Sequence, residues 1–317
     1  MVGRIDGFVH HHKMRVLVVI AFICGCGQHG SKPKTLASLE SNATPVSLAI
    51  VDGKLLIRLQ REDGMTLVEL DPVAATRRDI APALPSGAVA AHNGKLYFAE
   101  YRGTVGTLDP SSGTYRVIKK LDHAIYSVAA TDRGVLVGAQ QKVIAIDNAG
   151  NETDIAGAPI GAQLVEVDEV ISTPLGAFAT GRLADSVVRI DGDHAVVIAD
   201  HQLKPQYLVA GANRVVWTTG DATDIGKQVV GVAPTGGTVT ILAQAAADSH
   251  VQAVAADGKM IVCSMIGKTG SGIYVVGPDA APRQVVETRA SFVAISGTSI
   301  YWIEEADHGW VVKTTSL

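Results

Sequence analysis

A unit of apolar run, tight turn and second apolar run recurs about every 40 residues along this 317-residue chain, and a repeat of that length dictates the architecture. Its copies start near Pro45, Ser86, Ala124, Gly161, Lys204, His250 and Ala290. The first half of a unit is a hairpin, as in Val46–Val51, Asp52-Gly53, Lys54–Leu59, and again around Asn93-Gly94 and Asp257-Gly258. Asn-Gly and Asp-Gly between apolar runs are strong hairpin signals, because both turn residues adopt positive φ. The second half is another hairpin, turning at Asp71-Pro72, Asp109-Pro110, Asp147-Asn148 and Asp191-Gly192. Four short antiparallel strands per unit make one blade, and a blade cannot bury both its faces alone. Seven of them stacked in a ring can, so the expected fold is an all-β, seven-bladed β-propeller with four-stranded antiparallel blades.

Composition by position agrees with a ring. First strands are rich in small residues (Ala88-Val89-Ala90-Ala91, Val128-Ala129-Ala130, Val254-Ala255-Ala256), as crowding around a central channel requires. Second strands are bulkier, as in Leu96-Tyr97-Phe98, Val215-Val216-Trp217 and Ile300-Tyr301-Trp302, and suit the wider gaps between blades. The last unit supplies only Phe292–Ile295, Ser299–Glu304 and Trp310–Thr314. Its missing outer strand is expected from Thr35–Leu39, an N-terminal strand that closes the ring. Hydrophobic residues make up 47% of the chain but aromatics only 5%. The apolar content is therefore mostly aliphatic, as suits sheets covered on both faces. The propeller domain is assigned to residues 35–317.

Ahead of it, Met14-Arg15 precedes an apolar run from Val16 to Ile23 and then Cys24-Gly25-Cys26-Gly27. A charged start, a short apolar region and small residues at the cut define a secretory signal, here residues 1–25, too short to span a membrane as a helix. Residues 1–13, with His10-His11-His12, read as an upstream start codon outside the true signal. Ile23-Cys24-Gly25-Cys26 resembles the bacterial lipobox. That resemblance implies lipid attachment at Cys26, a tether over 26–34, and, with Gly27 following, delivery to the outer membrane of the cell envelope.

Cleavage before Cys26 removes Arg4, Lys13, Arg15 and Asp6 from 27 basic and 31 acidic residues, and the remainder carries −6 against −4 for the whole chain. No basic stripe remains to follow a phosphate backbone, so nucleic acid is excluded as a partner. Of three cysteines, Cys24, Cys26 and Cys263, such cleavage leaves one lipidated residue and one lone thiol. An intrachain disulfide is then impossible, and the exported fold rests on its core.

The segments Asn93-Gly94-Lys95-Leu96-Tyr97-Phe98-Ala99 and Gly103-Thr104-Val105-Gly106-Thr107-Leu108-Asp109-Pro110-Ser111-Ser112-Gly113 carry a further resemblance. They resemble seven-bladed bacterial propellers of the YVTN/NHL and virginiamycin-B-lyase-like type. The likeness spans 35–317 and is one of repeat grammar, which implies the fold and leaves activity open.

Searching for chemistry yields little. Gly267-Lys268-Thr269 follows a strand and has Val262 where a P-loop needs glycine. Gly-x-Ser-x-Gly, His-Glu-x-x-His and Cys-x-x-Cys are absent, and Trp217, Trp302 and Trp310 do not recur at one blade position as in quinoprotein propellers. Asp221, Asp224 and Gly226 offer two carboxylates on a turn, and calcium would need about four more oxygen ligands. In a propeller, the connections into first strands and those joining second to third strands share the channel mouth. There the sequence places Arg102, His123, Tyr126, Gln206, Tyr207, His250 and Glu304, with Asp221 nearby. The expectation is a non-catalytic surface or periplasmic lipoprotein, a monomer without cofactor or metal. Its mouth binds a protein, glycan or small ligand through Arg102, His123, Tyr126, Gln206, His250 and Glu304. The alternative is a metal-dependent lyase or lactonase-like enzyme built on His123, His250 and Glu304.

Overall fold

The computed structural model describes residues 31–84, 87–156, 167–181, 185–220, 226–258, 260–268, 270–277 and 281–317. The signal segment 1–25, Cys26 and its tether up to Gly30 lie outside these residues, as do Gly161, Asp221 and Asp224. Every described strand belongs to one of seven four-stranded antiparallel sheets. The chain opens with β1 (Lys34–Ser38), then lays down blade one as β2 (Thr44–Val51), β3 (Lys54–Arg61), β4 (Gly64–Asp71) and β5 (Thr76–Leu84). Blade two is β6 (Gly87–His92), β7 (Lys95–Glu100), β8 (Thr104–Leu108) and β9 (Tyr115–Lys120). Blade three is β10 (Ile125–Thr131), β11 (Gly134–Ala139), β12 (Lys142–Asp147) and β13 (Glu152–Asp154). Blade four is β14 (Glu169–Thr173), β15 (Gly176–Thr180), β16 (Val187–Asp191) and β17 (His194–Ala199). Blade five is β18 (Gln206–Gly211), β19 (Arg214–Thr219), β20 (Gln228–Val232) and β21 (Thr240–Gln244). Blade six is β22 (Ser249–Ala256), β23 (Ile261–Gly267), β24 (Gly272–Val276) and β25 (Arg283–Glu287). Blade seven is β26 (Ala290–Ser296), β27 (Ser299–Ala306) and β28 (Gly309–Ser316), with β1 as its outer strand.

The turns are those the dipeptides demand. Asp52 and Gly53 have φ of +49° and +76°, and Asn93 and Gly94 have +50° and +71°, so β2–β3 and β6–β7 close as tight hairpins. The outer turns use another device. The Asp71, Asp109 and Asp147 carboxylates accept hydrogen bonds from backbone N–H groups two to four residues on, including Val73, Ser111 and Ala149.

Between each pair of neighbouring blades lies one apolar core, and the two-residue period of the second strands feeds both sides at once. In β3, Leu55, Ile57 and Leu59 turn toward Ile303 and Val312 of blade seven. Leu56 turns the other way, to Leu96 and Leu108 of blade two. In β19, Val215 and Trp217 meet Phe178 and Val187 of blade four, while Val216 meets Val251 and Cys263 of blade six. The bulky second-strand residues Tyr97, Phe98, Trp217 and Trp302 are all buried between blades, as expected from their size.

Ring closure is a separate latch. Strand β1 pairs antiparallel with β28, with Ala37 opposite Val312 and Ser38 opposite Val311. The Leu39 N–H donates to the Trp310 carbonyl at 2.7 Å, and Ser31 N–H to Ser316 O at 3.1 Å. The Leu39 side chain enters the core between blades seven and one, so the N-terminal and C-terminal segments share one blade and one seam.

Candidate functional site

Five inner strands carry a β-bulge near their first residues, in β2, β10, β18, β22 and β26, where the register against the second strand slips. The displaced residues are Val46, Tyr126, Tyr207 with Leu208, Gln252 and Ser291. A bulge re-aims a side chain and bends the strand end, and bulges gather where proteins build sites. All five lie at the end where inner strands begin, which is the channel mouth.

An open concavity at this end spans blades one to three. It measures 330 Å³ and is lined by Arg58, Gly87, Ala88, Tyr101, Ile125 and Tyr126. Its walls are held by backbone bonds between two connections. Ile125 N–H donates to Tyr101 O at 3.1 Å, Leu121 N–H to Gly103 O at 2.9 Å, and Gly103 N–H to Glu100 O at 3.0 Å. Gly103 is required there. It sits at φ +94°, and a Cβ would run into the Leu121 carbonyl and come within 3.0 Å of the His123 carbonyl. With the loops so fixed, the Tyr101 and Tyr126 rings meet edge to face, centroids 5.6 Å apart and planes at 78°.

Arg58 is one of the lining residues. It lies two residues past Leu56 on β3 and so shares the face between blades one and two. Burial pushes its pKa down from the usual arginine value. Its Nε is buried and makes no hydrogen bond. The Arg61 Nε is likewise buried without a hydrogen bond, but unlike Arg58 the other arginines of blade one all have carboxylate partners. Arg61 and Arg77 meet Glu40 and Asp79, and Arg78 meets Glu69.

Of the residues expected at the mouth, those described are spread over several blades, and Asp221 lies outside the described residues. Tyr126 lines the cavity, and Arg102 stands exposed on the loop beside Tyr101. His123 instead lines a 210 Å³ groove between blades two and three, with Lys142, Glu152 and Asp154. Gln206 is buried, and its carbonyl accepts from Thr218 Oγ1 at 3.1 Å. Tyr207, at φ +55°, gives its N–H to Glu169 Oε1 at 2.7 Å, and Leu208 N–H bonds to the other oxygen of the same carboxylate. Glu169 thereby fastens the first strand of blade five to blade four. His250 Nε2 lies 3.1 Å from Gln252 Oε1.

Glu304 accepts hydrogen bonds from Thr288, from Lys313 and from Trp302 Nε1, the last at 2.6 Å. Burial works to raise its pKa, and the donors Lys313, Thr288 and Trp302 more than offset that, holding the carboxyl below its ordinary value. His123, His250 and Glu304 stand on blades three, six and seven and do not come together. Among the described residues, the group with three potential metal-ligand atoms within 4.8 Å of one another is Asp185, Asp200 and His201, all exposed.

Sequence reasoning passed over Arg58 and Tyr101. The available signal for Arg58 was one charge inside the apolar run Leu55-Leu56-Ile57-Arg58-Leu59.

No protein-family profile matches this chain, and no curated protein matches it. Solved structures do. Oligogalacturonate lyase in complex with manganese is 11% identical with a TM-score of 0.65, over 91% of this chain and 95% of that one. A hydrazine synthase chain from Kuenenia stuttgartiensis is 15% identical with a TM-score of 0.62, over 87% and 97%. YCF48 from Cyanidioschyzon merolae is 11% identical with a TM-score of 0.62, over 89% and 98%. Such distant likeness speaks to fold alone. The chain is a seven-bladed β-propeller.

Proposed function

We propose that this protein is a non-catalytic lipoprotein of the cell envelope, outer membrane included, whose propeller presents the channel mouth as a rigid binding surface for a protein, glycan or small ligand. The carrying observation is the set of bulges at one end of five inner strands, which displaces Tyr126, Tyr207 and Gln252 from the regular ladder at the mouth. Regular inner strands would serve the core as well, so bulges concentrated at one end favour a role for that end. The anchor half of the proposal rests on Val16–Ile23 followed by Cys26. The metal-dependent lyase or lactonase-like reading is less favoured. Three donors already occupy the Glu304 carboxylate, and its two histidine partners sit on other blades.

Two experiments test this. The full chain, expressed in a Gram-negative host fed an alkyne fatty acid, should incorporate the label and fractionate with membranes, and Cys26→Ser should do neither. A glycan and peptide array probed with residues 31–317 should return binders whose signal falls on Tyr126→Ala or Tyr207→Ala but persists on Asp132→Ala at the opposite end. Binders equally sensitive to both ends would refute a mouth-centred surface.

A further inference from the structure

Resting on the reading of the mouth as a binding surface, we infer that the cavity between blades one, two and three takes the carboxylate of a small ligand with a flat body. Arg58 holds the anion, and the Tyr101–Tyr126 pair packs on the body.

The argument starts from charge. A guanidinium withdrawn from water is stabilised only by partners, and buried charges in folded proteins are paired almost without exception. Arg58 is partly withdrawn from water and lacks such a partner. No hydrogen bond or ion pair joins it to another described residue, its Nε is buried without a partner, and burial depresses its pKa. The same blade shows that acids were available. Glu40, Glu69 and Asp79 serve Arg61, Arg77 and Arg78, each of them through short contacts. None of the described residues lining the cavity is acidic. Among the described residues nothing neutralises the guanidinium, and a bound anion would.

Shape and lining narrow the class. At 330 Å³ the cavity lies at the small end of ligand sites, which run from about 300 to 1,000 Å³, so the occupant is a small molecule or a terminal fragment of a larger one. Ala88, Ile125 and the two tyrosine rings present apolar and aromatic surface next to the guanidinium. That combination suits an anion attached to a flat ring better than a free inorganic ion, which would leave the rings without a role. Arginine's planar fork matches a carboxylate, whereas a cationic or neutral ligand would leave it unpaired. The rings are also placed before any ligand arrives, because the Ile125–Tyr101 and Leu121–Gly103 backbone bonds fix both loops. Such preorganisation lowers the entropic cost of binding.

The test is ligand-observed fluorine NMR with para-fluorobenzoate and residues 31–317. Line broadening that acetate and phosphate both reverse is expected, and the neutral isostere para-fluorobenzyl alcohol should show none. Arg58→Met should weaken binding about tenfold or more, since a charge-assisted bond is lost. Arg58→Lys should retain part of it, and Arg116→Met should bind as wild type. Melting curves establish that each variant is folded. Because the comparison of acid with alcohol uses only the wild type, it decides even if Arg58→Met fails to fold. Equal broadening by acid and alcohol, no broadening by either, or an Arg58→Met variant that is folded and binds undiminished would each overturn the inference. Any of these would leave the array result on Tyr126 and Tyr207 standing, so this site and the wider mouth surface fail separately.

Discussion

Leu39 is the residue on which ring closure can be weighed. Its side chain is 5% exposed and packs with Leu55, Ile57 and Leu59 of blade one and with Ile303 and Val312 of blade seven. Leu39→Ala removes that contact while keeping the β1–β28 ladder. Leucine-to-alanine changes in cores cost about 2–5 kcal/mol, according to how far the site collapses. Leu39 follows directly on a terminal strand that can settle into the gap, so the lower half applies, about 2–3 kcal/mol. In a domain of this size each kcal/mol moves Tm by about 2 °C, giving a fall of about 4–6 °C. The assay is thermal and urea unfolding of residues 31–317, with Leu208→Ala as the comparison. Leu208 is 3% exposed between blades four and five and has no part in the latch. Removing residues 31–39 altogether should cost more than either substitution, because β28 then loses its outer partner and becomes a bare sheet edge. A Leu39→Ala cost below about 1 kcal/mol, with Leu208→Ala at the full core value, would refute the closure argument.

Three further outcomes follow from the same contacts. Glu304→Gln should lower stability at neutral pH by about 1 kcal/mol, a figure already reduced for solvent screening of the Lys313 pair. Because the folded carboxyl of Glu304 is held below its ordinary value, its contribution is present at neutral pH and lost as pH falls through the carboxylate range. Urea midpoints of wild type and variant should therefore converge in acid, and parallel curves would count against the assignment. The Cys263 thiol is buried, and burial pushes its pKa up to about 12, so in residues 31–317, where it is the one cysteine, Ellman's reagent should react only at the rate of unfolding. Prompt labelling of the native protein would contradict that. The Asp71, Asp109 and Asp147 carboxyls should titrate below a free peptide aspartate by NMR. Asp71 is held down by the Ala74 and Val73 N–H groups, Asp109 by Ser111, and Asp147 by Asn151.

Much of the ring could be read from residues because local and global signals agree in it. Asn93-Gly94 and Asp52-Gly53 fix hairpins by backbone conformation alone, and Thr35–Leu39 was legible as the closing strand because the last unit was one strand short. Blade four was not legible to the same degree. Its expected start at Gly161 lies outside the described residues, and its first described strand is Glu169–Thr173. The apolar stretch from Gly161 to Val165 has the composition of a strand without the turn dipeptide that sets register elsewhere. At the mouth, composition located the loops but could not say which residues meet. Tyr126 pairs with Tyr101 only because a bulge in β10 turns it there, and a register slip leaves no mark in the sequence. Arg58 escaped notice because it sits within a strand. Its solitude depends on where the acids of neighbouring strands fall, and that is a property of the fold.

The closing strand also determines how the molecule carries tension. Any pull on the chain upstream of Ser31 arrives first at Ser31–Ser316 and then along the β1–β28 ladder. The segment that receives the load is thus the one that locks the ring. A drag strong enough to peel β1 would loosen the seam between blades seven and one while blades two to six keep their own four strands. The latch would then act as a mechanical fuse, free to re-form when the strain is released because its two halves stay joined through one continuous chain.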